Sequence, residues 1–163
     1  MSLAKKPTDT APQSQHHFRT VQEARALARD LAAICPRPHA VETGLFELFM
    51  NAIEHGNLEI GSTEKGILLS QDSLEEEINA RLLDPAYRDR RVEVTTTIAE
   101  GCISFHIHDE GPGFNWRLYL KHEAEKLDRP YGRGILIARK LAFDELRYSE
   151  EGNSVVASVN MDN

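Results

Sequence analysis

The chain is short of cysteine, tryptophan, positive charge and long apolar runs, and each shortage removes a class of protein. Two cysteines, Cys35 and Cys102, in 163 residues cannot build a disulfide framework, and no paired CxxC spacing offers zinc or redox chemistry. Both are expected to be buried and reduced. Lys and Arg number 19 against 26 Asp and Glu, a formal net charge of −7, which opposes a nucleic-acid backbone, so DNA and RNA are set aside as partners. No uncharged run approaches the roughly 20 apolar residues that span a bilayer, and residues 1–15 carry no signal-peptide core. A cytoplasmic protein without a membrane partner is the expectation. What is present suffices for one compact domain: 40% hydrophobic and 28% charged residues fall near ordinary globular usage.

Residues 1–15 are polar, with two prolines and no periodicity, and read as a disordered tail ahead of a single domain at 16–163. Thr20 and Glu23 have capping-box spacing, and Val21, Ala24, Leu27, Ala28, Leu31 and Ile34 then recur on one face, which predicts a helix over about 21–35 that stops at Pro36 and Pro38. A second helix over 39–56 buries Val41, Leu45, Leu48, Phe49 and Ala52, with Gly56-Asn57 as its stop. Residues 58–91 form a long charged connection, read as a helical insertion, with one short helix after Ser73 carrying Leu74, Ile78 and Leu82. Alternation predicts strands at 92–98 and 103–107 joined at Glu100-Gly101, and further strands near 143–149 and 153–160 follow a helix at 134–142. Leading helices and two antiparallel hairpins imply an α+β two-layer sandwich with helices on one face of the sheet.

Three segments carry chemistry. In Glu47-Leu-Phe-Met-Asn51 the two polar residues stack one turn apart, opposite the apolar face, and a helix-interior asparagine calls for a partner such as a hydrated cation. In His108-Asp109-Glu110-Gly111-Pro112-Gly113 a strand runs into an aspartate able to accept a hydrogen bond from an exocyclic amine, and Gly111 and Gly113 allow the backbone close to a flat ring. In Tyr131-Gly132-Arg133-Gly134 two glycines open an apolar helix whose N-terminus suits phosphate oxygens, although neither a Walker nor a Rossmann loop is present. Against each stands a plainer meaning: a solvated helix face, a strand-to-turn junction, an ordinary helix start. His106 and His108 share a strand face with Cys102, but alternation alone puts them there and no fourth metal ligand is evident.

In this order, E-x3-N on a helix, D-x-G-x-G after a strand and G-x-G before a helix, the segments resemble the ATPase superfamily of gyrase B, heat-shock chaperones, histidine kinases and mismatch-repair ATPases. ELFMNAIEHGN, HDEGPGFN and YGRGILIARKLAFDEL are most similar to the anti-sigma-factor serine kinases of the RsbW and SpoIIAB type, over about residues 16–160. The resemblance implies the histidine kinase-like ATPase (Bergerat) fold, with a mixed, mostly antiparallel sheet. It implies ATP and Mg2+ as cofactors, Glu47 as general base, Asn51 as magnesium ligand, and Asp109 as acceptor of the adenine amine. Gly111 and Gly113, with Gly132 and Gly134, match the glycines of the nucleotide boxes. Lys121, Lys126 and Arg129 fall in the segment that resembles the ATP lid, and any of them could face the γ-phosphate.

The function so implied is a Mg-ATP-dependent serine/threonine kinase acting as an anti-sigma-factor-type regulator. Its partner would be an anti-sigma-factor antagonist or a sigma-factor-like protein, with a homodimer as a further expectation. The alternative is an ATP-gated interaction module, or the excised ATP-binding domain of a histidine kinase, with little phosphotransfer. Glu47 favours the enzyme, because a pure nucleotide sensor needs no base.

Overall fold

Thr20 starts the first helix through the reciprocal bonds its spacing predicts: its Oγ1 accepts from Glu23 N at 3.2 Å, and Glu23 Oε1 accepts from Thr20 N at 3.2 Å. In the computed structural model, which describes residues 13–117 and 138–162, α1 (Val21–Ala32) ends three residues before the expected stop. Pro38 then serves as the first residue of α2 (Pro38–Asn51) rather than as a breaker, since a proline N–H is not needed there. Beyond Asn51 the helix widens into a π-helical turn, Ala52–Asn57. There Leu58 N donates to Ile53 O at 2.9 Å, five residues back, a feature common at functional sites.

The 58–91 connection holds two helices where one was expected, α3 (Ser62–Ser70) and α4 (Leu74–Leu83). No side chain of α3 is buried, so it has no apolar stripe to betray it in the sequence. Ser73 does precede α4, but its hydroxyl donates to Leu68 O at 3.4 Å instead of capping α4. Arg81 binds the connection together by donating to Leu58 O at 2.8 Å and pairing with Glu64 and Glu77.

The sheet contains β1 (Gln13–Phe18), β2 (Val92–Ala99), β3 (Cys102–His108), β4 (Glu145–Tyr148) and β5 (Ser154–Asn160), in the order β1-β2-β3-β5-β4. Every pairing among these strands is antiparallel. β1 begins inside the segment expected to be a tail: Gln13, Ser14 and Gln15 lie opposite Thr97, Thr96 and Thr95. Residues 13–17 are exposed and only Phe18 at the end of the strand is buried, so the ladder holds most of this edge strand, and no apolar alternation announces it.

The core lies between the layers. Val92, Val94, Ile103, Phe105, Ile107, Val155 and Ala157 face the helices, and Phe18 on β1 meets Phe49 on α2 with ring centroids 4.8 Å apart. Residues 138–142, the described part of the expected helix at 134–142, form a second π-helical turn packed against α2. The opposite sheet face is mostly polar and is covered by no helix among the described residues. His17 pairs there with Glu93 at 3.1 Å, and His106 Nε2 lies 2.5 Å from Ser154 Oγ. Cys35 is buried and free as expected, and burial pushes its thiol up to about 11. Cys102 is free but only half-buried, since β3 turns it toward the open face. No described helix is long and apolar enough to cross a membrane.

Candidate functional site

The site forms where the C-terminal half of α2 meets the C-terminal end of β3. Asn51 and Asp109 line one narrow cavity with Leu48, Ile107, Phe114 and Tyr148. Asp109 is 5% exposed; its N–H donates to Asn153 O at 2.9 Å, and its Oδ1 accepts from Gly111 N at 2.9 Å. Burial pushes its carboxyl up to about 6, against the smaller opposing effects of the Gly111 hydrogen bond, His108 and Arg90. A buried carboxylate with one oxygen committed to the backbone is suited to accept from an uncharged N–H donor.

The end of α2 cradles the Asp109 loop. Asn57, 3% exposed, accepts from Glu110 N at 2.8 Å through Oδ1. A Cβ on Gly111 would lie 2.2 Å from Gly56 O, and one on Gly56 would lie 2.4 Å from the Asp109 carboxyl carbon. Gly113 has φ +88°, and a Cβ there would lie 1.9 Å from Glu151 O. These glycines therefore let protein backbone close on protein backbone, an intramolecular need beside the ligand approach that the sequence suggests. Sequence reasoning passed over Asn57 and Gly56, having assigned both to a helix stop; their signal was an asparagine and a glycine directly after a chemically loaded helix.

Glu47, one turn before Asn51, is half-buried. Burial raises its carboxyl above the usual range; Lys65 on α3 lowers it and Glu54 raises it further. Glu54 itself is 3% exposed and pairs with Lys65 Nζ at 2.5 Å. Neither Glu54 nor Lys65 stood out in the sequence. His55 donates from Nδ1 to Ile60 O at 2.6 Å and stacks on Phe114 at 6.0 Å between centroids. Burial, the largest influence, lowers its pKa and favours the neutral ring. His55 and Phe114 also border a second cavity of about 370 Å3 beside the first.

Trp116 stacks on Tyr148 at 5.4 Å and donates from its indole to Ser149 O at 2.9 Å. The structure thus brings Asn51, Asp109, Gly111 and Gly113 together and puts Glu47 on the same helical face as Asn51. Gly132, Gly134, Lys121, Lys126 and Arg129 lie outside the described residues. His106 and His108 lie on the open sheet face, and no group of three His, Cys, Asp or Glu among the described residues could hold a metal ion.

This geometry agrees with a comparison against protein families, in which the model described as the histidine kinase-like ATPase domain matches residues 6–159. A comparison with curated proteins finds no match.

Proposed function

Because the chain belongs to the histidine kinase-like ATPase domain family, we propose that it uses this ATP-binding fold as a Mg-ATP-dependent serine/threonine kinase. Its substrate on this reading is a small partner of the anti-sigma-factor antagonist type, whose modification controls a sigma-factor-like target. The observation that carries the proposal is Glu47, a half-buried carboxylate with raised basicity on the helical face of Asn51.

Asp109 accepts a hydrogen bond from the adenine amine and so selects the base. The Asn51 amide oxygen is the hard, neutral donor magnesium favours, and a single protein ligand fits an ion that keeps several waters and takes substrate phosphate oxygens. When bound there, the ion neutralises phosphate charge. Glu47 takes the proton of the acceptor hydroxyl as its oxygen forms a bond to the γ-phosphorus; the bond from that phosphorus to the β–γ bridging oxygen breaks, and ADP leaves. Raising the Glu47 pKa strengthens it as a base without changing the reaction it serves.

Transfer of labelled phosphate from ATP to candidate partners tests this. Glu47→Ala should lower the transfer rate by roughly 100- to 10,000-fold, the usual effect of losing a general base, and leave ATP affinity unchanged. A wild type that binds ATP but transfers nothing would make the protein an ATP-gated interaction module. A mutant as fast as wild type would remove Glu47 from the mechanism.

A further inference from the structure

Two carboxylates, Glu47 and Glu54, flank Asn51 along α2 and the π-helical turn that continues it. At 3.6 residues per turn Glu47 and Asn51 fall on one face of α2, and Glu54 follows in the wider π-helical turn, close enough for its charge to act on Glu47. An anionic polyphosphate brought to Asn51 would therefore meet a buried negative charge at Glu54, with little water to screen it. The fold answers with a cation from outside the helix. Lys65 reaches down from α3, its side chain 17% exposed, and lies 2.5 Å from Glu54. Lys65 and Glu54 are also the two charged groups that act on Glu47, which places all three in one electrostatic neighbourhood.

The position of Lys65 is built. Leu58 and Ile60 are buried beneath the start of α3, Ile60 N donates to Glu54 O at 2.8 Å, and Glu64, next to Lys65, pairs with Arg81. No side chain of α3 is fully buried; Leu68 packs partly buried against the core, and the ion pairs of Glu64 and Lys65 tie the start of the helix to the domain.

We propose that Lys65 is a positioning residue of the ATP site, whose ammonium group cancels the Glu54 charge and makes the Asn51 face tolerant of a polyphosphate. The proposal deepens the ATP-site reading and rests on it. Lys65 acts through Glu54 and needs no contact with the nucleotide. It makes the 58–91 connection part of the site and not only an outer surface.

The test compares Mg-ATP with adenosine, which shares the base but has no phosphate charge. In Lys65→Met the Mg-ATP dissociation constant should rise about tenfold, the effect of one partly screened unit charge, while that of adenosine stays within about twofold. Lys65→Arg should retain Mg-ATP binding, and Lys65→Met combined with Glu54→Gln should recover it. Glu54→Gln alone leaves Lys65 unopposed and should tighten Mg-ATP relative to adenosine; it supplies the answer even where Lys65→Met folds poorly. Equal losses for both ligands in Lys65→Met would make the pair a structural prop, and failure of the double variant to recover would make Lys65 a direct phosphate contact. Either result, or no change in the Glu54→Gln ratio, overturns the proposal while adenosine binding by wild type leaves the ATP site standing. Wild type that binds neither ligand overturns the ATP-site reading as well.

Discussion

Asp109 is a carboxylate kept from water before any ligand arrives, and that has a cost in stability. Its folded pKa of about 6 lies above the ordinary 3.8, so the folded state holds the proton more tightly than the unfolded chain does. The contribution of this group to stability is therefore greatest below about pH 4 and is lost as pH rises through 6, on the order of 2–3 kcal/mol in all. Asp109→Asn removes the buried charge and keeps an oxygen for Gly111 N. The unliganded variant should be about 1–2 kcal/mol more stable than wild type at pH 7.5 in urea titrations, and the gain should vanish near pH 4. Adenosine binding should weaken at least tenfold, as expected for a lost charge-assisted hydrogen bond. A variant both less stable and equally competent to bind would remove Asp109 from the base site.

Among the elements, α2 decides most, since it packs on α1, on the 138–142 turn and on the sheet while carrying Glu47 and Asn51. Gly44 shows how close that packing is: a Cβ there would lie 2.3 Å from Ala142 Cβ and 2.9 Å from the Phe143 ring. Helix propensity alone favours Gly44→Ala by about 1 kcal/mol. Overpacking against a backbone-anchored methyl group costs roughly 1–3 kcal/mol, so the net effect should be destabilisation, read from the urea midpoint. The first helix offers the opposite lesson, because its capping box is local and its loss should be local too. Thr20→Ala should cost about 1 kcal/mol and leave nucleotide affinity intact in the same calorimetric titration used for wild type.

At the scale of the molecule, the proposed ligand would join the two layers, since Asn51 belongs to the helical layer and Asp109 to the sheet. Ligand binding should then resist global unfolding: Mg-ATP at 100 times its dissociation constant should add about 2.7 kcal/mol, or roughly 5–10 °C for a domain of this size. In Asn51→Ala the shift should shrink in magnesium and match wild type in chelator, because on the proposed reading the asparagine serves the cation and not the base. Equal shrinkage in both media would make Asn51 a structural residue. Trp116 is the sole tryptophan, and its stack on Tyr148 beside the cavity gives the same titration a fluorescence signal.

Periodicity, capping and turn chemistry are local, and what depends on them was legible in the chain: the Thr20 box, the apolar face of α2 and the β2–β3 hairpin, whose Glu100 and Gly101 both take positive φ. The pairing of Glu47 with Asn51 was legible too, because helical geometry puts residues four apart on one side. Other features depend on what lies opposite, and no spacing along the chain encodes that. β1 is exposed over residues 13–17 and is held there by its ladder to β2, with only Phe18 at its end buried. α3 has no fully buried stripe and is seated by the partly buried Leu68 together with the ion pairs of Glu64 and Lys65. Gly56 and Gly111 are 55 positions apart in sequence, yet each leaves room for the other's side of the loop. Lys65 and Glu54 meet after a π-helical turn and a return of the chain in which Ile60 N bonds back to Glu54 O. The sequence alone determined which residues could do the chemistry; tertiary packing decided how deeply each carboxylate is buried and which charge stands beside it, and burial and neighbouring charge are what set a carboxylate's affinity for a proton.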